Sequence, residues 1–370
     1  MAITKVTTPV TGFESNVDIG LKIPVGTNSN LPAVEVEGMI RNDTDEDSGG
    51  TSSNTAITFY NGTDWKYFNS TESPDPDPAF SVRYLVIAGG GGGGNYYYGG
   101  GGGAGGFRTS FGTGNENGGL TPVESYLQGA ANINYTVTVG TAGNGGSNSG
   151  QSSQLVLTST ITSAGGGGGG TQAVGIGGGS GGGGAIYPTN YAGGAANTSP
   201  TQGFSGGAAN NTGPYNAGAG GGGAGEIGRG GDSTAALGGK GGDGIESLIT
   251  GTAVYYAGGG AGGVNRNYTT FTPQGGLGGG GDGASGLAVA LAGTNGLGGG
   301  GGGGSHVGYG TGSGMPGGSG VVIIRYLAAN SINIVSGTSP VAADLNATVS
   351  GSTEKFTRFT ATGTVTFTIT

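Results

Sequence analysis

Short apolar runs bounded by turn residues recur along the chain, and they read as strands. The clearest are VRYLVIA (82–88), NYTVTV (134–139), SQLVLTSTIT (153–162) and GVVIIRYL (320–327), each abutting a turn or a glycine tract. From Phe356 to Thr370, Thr alternates with Phe, Val and Ile, with Gly363 at a turn, the pattern of a two-stranded ribbon that needs a partner sheet. Residues 1–69 hold further short runs, LKIP, EGMIRN and AITFYNGTDWKYF, the last with the hairpin dipeptide Asn61-Gly62 between aromatics. Trp65 lies just past that turn and is expected to be core or interface filler. No 11-residue window has convincing helical periodicity outside Ala/Gly-rich stretches, where each interior glycine costs roughly 1 kcal/mol relative to alanine. The expected chain is almost free of α-helix.

These elements suggest four parts. An acidic N-terminal β module (1–69) is followed by a Pro/Asp linker (70–81), where the STESPDPDP sequence fixes φ and removes amide donors. A glycine-rich domain (82–327) and a C-terminal β ribbon (328–370) complete it.

Composition changes the middle part most. Of 370 residues 97 are glycine, against a usual share of roughly 7%. Residues 89–320 hold 87 of them, so the excess belongs to one segment. Collagen is excluded, because the tracts lack a strict G-X-Y repeat and the chain has only 13 prolines. Many G-x-G-x-x-G matches arise by chance in such a segment and carry no weight without a following helix or Walker lysine. A flexible linker needs no apolar punctuation, yet Ile176, Ile186, Leu237, Ile245, Val264, Leu277, Leu287, Leu291 and Leu297 interrupt the tracts. Disorder stays as the alternative to a packed array of polyproline-II-like glycine helices.

An isolated helix of that type has no internal hydrogen bonds and cannot offset the ordering of glycine. Side by side, several can bond to one another, because no side chains hold the backbones apart. The expected fold class is therefore all-β plus a polyglycine-II helix bundle. Alanines such as Ala104, Ala224 and Ala261 are expected to face outward or to fill edges.

Charge narrows the function classes. The net charge is −9, and residues 1–80 carry 12 of the 21 acids and 4 of the 12 bases. No basic cluster exists to neutralise phosphates, so nucleic acid is not an expected partner. Zero cysteines exclude disulfides and thiolate chemistry. Neither an apolar leader segment nor an 18-residue apolar run is found, so membrane insertion is not expected.

The ordered blocks RYLVIAGGGGGG, NYTVTVGTAGNGG, GQSSQLVLTSTITSAGGGGGG and GGSGVVIIRY resemble the glycine-rich domain of tailed-phage fibre and adhesin proteins, over about residues 82–327. The N-terminal VEGMIRNDTD and AITFYNGTDWKYF are similar to short modules near the N-termini of marine-phage structural proteins. The resemblance implies a polyglycine-II sandwich whose tips carry host-receptor contacts, a virion location, attachment to other virion proteins through the N-terminal module, and a homotrimer. One departure is KFTRFTATGTVTFTIT, similar to a stretch that usually precedes the first block; its place at the end suggests a permuted strand or one that pairs with a neighbouring subunit.

Turns between tracts hold most of the side-chain information. Tyr96, Tyr97, Tyr98, Tyr187, Tyr191, Tyr215, Tyr255, Tyr256, Arg266, Tyr268 and Phe271 are the candidate receptor contacts, with Phe204 and Tyr309 in similar settings. Tyrosine offers a rigid ring with a polar tip at low entropic cost, suited to a surface glycan or protein. The competing reading makes these rings plugs of the lattice edges.

Catalysis and metal binding find little support. Asp43, Asp45 and Asp47 begin like a calcium loop, but Ser48 and Asn54 replace its glycine and bidentate glutamate. His306, the single histidine, has no acid nearby in sequence. Asp232, Asp243 and Asp282 lack an apolar pocket to raise one carboxyl pKa. The expectation is a non-enzyme without metal or cofactor, either an adhesin that contacts a host surface glycan or protein, or a purely structural decoration or fibre-shaft protein. An ice- or surface-binding protein would need a regular flat array of Thr or Ala, which TVTFTIT alone hints at.

Overall fold

In the computed structural model the described residues are 80–112, 124–210, 213, 215–235, 237–265, 272–285, 288–306, 312–337 and 344–370, with the short backbone segments 25–26, 40–43, 56–60 and 65–67. The chain divides into two compact units, Met1–Pro76 and Asp77–Thr370.

The first unit carries a four-stranded sheet in sequence order, β1 (Val25–Gly26), β2 (Ile40–Asp43), β3 (Ala56–Tyr60) and β4 (Trp65–Tyr67). β1 and β2 are parallel; β2, β3 and β4 are antiparallel, with Tyr60 opposite Trp65. Asn61-Gly62, the acidic turn beyond Asp43, and the Pro/Asp stretch 70–78 lie outside the described residues.

The second unit is built from three sheets, and its described residues contain no α-helix. Strands β5 (Phe80–Ile87), β6 (Phe107–Thr109), β7 (Leu127–Gly129), β8 (Tyr135–Val139), β9 (Ser153–Val156), β10 (Thr160–Ser163), β11 (Ile245–Ser247), β12 (Val254–Tyr256), β13 (Val321–Leu327), β14 (Ile332–Ser336), β15 (Ala347–Thr348), β16 (Glu354–Phe359) and β17 (Gly363–Ile369) follow in order. One sheet runs β10-β9-β8-β17-β14, the second runs β15-β16-β13-β5-β6 with β7 beside β5, and β11 and β12 form a hairpin.

Strand sequence and burial agree with this layering. β8 and β17 alternate, so Tyr135, Val137, Val139, Val365, Phe367 and Ile369 point into a core while their threonines face away from it. That core is closed by Val82, Tyr84, Val86, Val322, Ile324 and Tyr326 from the second sheet. The opposite face of β5 and β13 presents Leu85, Ile87, Val321 and Ile323 to a second cluster with Ile245, Ile249 and Tyr256. Covered on both sides, these two strands read as continuous apolar runs rather than as alternation.

The C-terminal ribbon requires correction. β16 pairs with β13 and β15, whereas β17 pairs with β8 and β14, so the two strands enter different sheets of the same chain. Phe359 of β16 and Phe367 of β17 meet across the core at 5.8 Å between ring centroids, a burial that a bare two-stranded ribbon could not provide.

Nearly every strand beside the tracts leads directly into one, or follows one. In residues 89–94 the amide donors turn through three directions. Gly89 and Gly92 donate to Gln151 and Asn148, Gly90 and Gly93 to Gly318 and Met315, and Gly91 and Gly94 to Gly103 and Gly100, at 2.8–3.0 Å. The carbonyls repeat the period, accepting from Gly166 and Gly169, Gly143 and Gly146, and Gly301 and Gly304. Residues 99–106 occupy the middle of the array. They donate to segments 298–304, 164–170 and 219–222, and they accept from 260–263, 88–94 and 180–183. This segment therefore bonds to six others, and backbone hydrogen bonds take the place of side-chain contacts.

Of the two places expected for the alanines the outward one does not hold, since Ala104, Ala224 and Ala261 are all fully or almost fully buried. Ala104 and Ala224 sit where the array meets the second apolar cluster, and their methyls fill that seam. Side chains instead leave from the outermost tracts, where small residues turn inward every third position. Gly228 and Gly231 are buried beside exposed Ile227 and Arg229, and Ala290 and Gly293 beside exposed Val289 and Leu291.

Candidate functional site

Strands lie at one end of the array, with the reversals at 277–279 and 295–298 beside them, and further reversals between tracts lie at the other. The bonds Gly99 to Gly304, Gly100 to Gly170, Gly263 to Gly99 and Gly218 to Gly263 place the ends of these tracts at a common level. The turns at 95–98, 171–173 and 186–190 and the described residues of 209–216 therefore share one tip, along with Val264 and Ser305, whose Oγ donates to the Val264 carbonyl at 2.7 Å.

Tyr96, Tyr97 and Tyr98 reverse the chain between two tracts, and all three take left-handed backbone angles, φ 45°, 43° and 64°. Tyr187 has φ 90°. Such angles cost a residue with a Cβ on the order of 1–2 kcal/mol each, and surrounding structure must hold them. Asn95 does part of this work. Its amide donates to Thr171 Oγ1 at 2.8 Å, and its Oδ1 accepts from the Gly314 amide at 2.8 Å. Tyr96 donates its amide to the Gly312 carbonyl.

The rings gather. Tyr97 and Tyr187 stack with centroids 5.1 Å apart and planes 14° from parallel. His306 meets Tyr97 edge-on at 5.6 Å and lies 6.2 Å from Tyr98. Tyr96 and Tyr187 are 41% and 49% exposed, so this patch faces solvent. Among the described residues of the turns at 95–98, 171–173, 186–190, 209–216 and 305–306 there is no Lys, Arg, Asp or Glu. The neighbouring turn carries Asp232, whose carboxylate the Thr234 hydroxyl and the Ala235 and Thr234 amides hold below its usual pKa.

Not every tyrosine expected at the site faces outward. Tyr98 is buried against Ile186 and Ala209 and fills the lattice edge. Tyr191 is half-buried, and Tyr215 packs on Ala217 and Val264. Tyr255 and Tyr256 lie at the sheet end on β12; Tyr255 is exposed, while Tyr256 is buried in the second apolar cluster. Burial pushes the Tyr256 hydroxyl pKa up, with the nearby Arg358 guanidinium opposing it. Arg266, Tyr268, Phe271 and Tyr309 lie outside the described residues. His306 has no acid near it in sequence, so catalytic spacing does not single it out. A better signal was its place, directly after a tract, like Tyr96–Tyr98.

The carboxylates considered for catalysis are engaged locally. Asp243 binds Lys240 Nζ at 2.8 Å and the Leu277 amide, and Asp282 accepts from the Gly275 amide. No group of three metal-ligating side chains exists among the described residues. A groove of about 640 Å³ at the sheet end is lined by Asn295, Leu297, Ser319, Asp344, Arg358 and Thr360, and its two charges are paired with each other at 2.8 Å.

No curated protein and no solved structure matches the chain. A family model described as a glycine-rich domain matches residues 69–327. With most of its length inside that match, the chain belongs to the glycine-rich domain family.

Proposed function

We propose that this protein is a virion component, a tail-fibre or adhesin subunit that recognises a host cell surface without catalysis. The observation that carries this reading is the aromatic patch of exposed Tyr96, Tyr187 and His306 with half-buried Tyr97, its tyrosines set on left-handed backbone at the end of the array farthest from the sheets. Strained non-glycine residues concentrate where geometry serves a function, and tyrosine-rich turns on a rigid scaffold make recognition surfaces. The block order resembling phage fibre domains supports the same reading. In it the tracts are polyglycine-II helices, consistent with their three-residue donor period. The N-terminal module binds other virion proteins, and the subunit assembles as a homotrimer.

Purified protein should compete with virions for host adsorption, and Tyr96→Ala with Tyr97→Ala should abolish competition without lowering the melting temperature. A protein that never binds cells, with infectivity indifferent to these changes, leaves the structural decoration or shaft role in its place.

A surface-binding reading gains one observation. Thr136 and Thr138 of β8 lie opposite Thr366 and Thr364 of β17, and the Thr138 and Thr364 hydroxyls are 2.9 Å apart. With Thr368, Gln154 and Thr162 they make an uncharged, hydroxyl-rich sheet face. Inhibition of ice recrystallisation by the purified chain, lost in Thr138→Lys, would favour that role.

A further inference from the structure

We propose that the tip binds a neutral saccharide, with one sugar ring seated on the face of Tyr187 that Tyr97 leaves open. This rests on the tip being the recognition surface and adds the chemistry of the ligand. Tyr97 stacks on one face of Tyr187, and half of Tyr187 is nevertheless exposed. An aromatic face is negative, and a pyranose presents a face of weakly positive C–H groups, so the two match in charge and in flatness. The adjoining Thr189 and Asn190 are exposed in the same turn and carry a hydroxyl and an amide, donors and acceptors of the kind sugar hydroxyls use.

Charge selects among sugars. Sialates, uronates and phosphorylated sugars call for Arg or Lys, whereas a charged side chain that the structure places beside the tip is the exposed Asp232, on the turn whose Ser233 accepts from the Gly213 and Tyr215 amides. The ring is already stacked on Tyr97, so binding orders little that is not ordered beforehand.

The test uses the full chain on an array of neutral, sialylated, uronate-bearing and phosphorylated oligosaccharides, with NMR titration of the best binder. Neutral saccharides should be retained, and their addition should shift Tyr187, Tyr97 and His306 resonances. Tyr187→Ala should weaken retention at least tenfold, while Tyr187→Phe, which keeps the stacking face, should retain it. The proposal is overturned by retention of acidic sugars alone, by no retention, by shifts elsewhere on the protein, or by undiminished binding in Tyr187→Ala. Because the shifts are read in the unmodified chain, misfolding of a variant does not obscure the result. Host adsorption that survives periodate but not protease treatment would sink the saccharide and leave host recognition standing. Saccharide binding without host adsorption would do the reverse.

Discussion

A single methyl group is the unit of damage in a lattice made of backbone. A Cβ on Gly102 would lie 2.1 Å from the Gly91 carbonyl oxygen, which is bonded to the Gly301 amide and cannot withdraw alone. Gly102→Ala should therefore destabilise by about 3 kcal/mol or more, at or beyond the usual cost of overpacking. Gly351→Ala is the control. Nothing lies within 4 Å of its Cβ and only its φ of +71° opposes the change, so its cost should be about 1–2 kcal/mol. Denaturant unfolding of the two variants measures both. Tyrosine burial sets a second residue-level expectation. Desolvation pushes the Tyr326 hydroxyl from 10.0 up to about 12, against the Thr357 hydroxyl, which lowers it. Its proton stays on longer in the native state than in the unfolded chain, so this contribution is full below pH 10 and is lost as pH rises to about 12. Unfolding free energy should fall over that window by about 2–3 kcal/mol from this group, and less in Tyr326→Phe. At this scale the sequence announced the glycines but not which alanines are buried. Ala104 and Ala261 look alike in their tracts, and only the neighbouring segments distinguish the seam at Ala104.

Strands were legible as elements and illegible as partners. The apolar runs at 82–88 and 320–327 mark β5 and β13 directly, yet the pairing of Thr138 with Thr364 joins residues 226 apart, and no local pattern encodes it. The C-terminal strands show what that hides. β17 lies between β8 and β14, and β16 between β13 and β15, so both are central to their sheets. A chain ended after Leu345 would expose Val322, Ile324 and Val137 to water and should yield aggregated protein without a cooperative melt. Soluble, cooperative protein of that length would contradict the assignment. Charge locks the same region. Glu354 accepts from Arg325 Nε at 2.8 Å, and Arg83 Nη2 approaches its other oxygen at 2.5 Å. Arg325 also lies over the Phe111 ring at 4.8 Å and donates to the Leu248 and Ile249 carbonyls. The Arg325 and Glu354 side chains are each only 10% exposed, so Glu354→Gln leaves a buried cation without its counterion. About 3 kcal/mol of stability should be lost, read by chemical denaturation. The more exposed Arg83 should matter far less.

At the scale of the second unit, the division of labour is spatial. Sheets with conventional apolar cores anchor one end, the tract array extends from them, and the turns at the far end present exposed side chains such as Tyr96 and Tyr187. The candidate site was legible in part, because Tyr96, Tyr97 and Tyr98 stand between two tracts with no apolar run to carry a strand. That Tyr255 and Tyr256 fall at the opposite end was not legible, since strands and tips both border glycine. The whole account depends on the tracts being ordered by one another. Residue-resolved amide hydrogen exchange tests this directly, because an unpaired glycine exchanges at once while a lattice amide must wait for opening. Amides within residues 89–94, 99–106, 257–264 and 298–304 should be protected to nearly the same extent as those of β5 and β13. Exchange in those tracts at unstructured rates, with the strands still protected, would contradict the account.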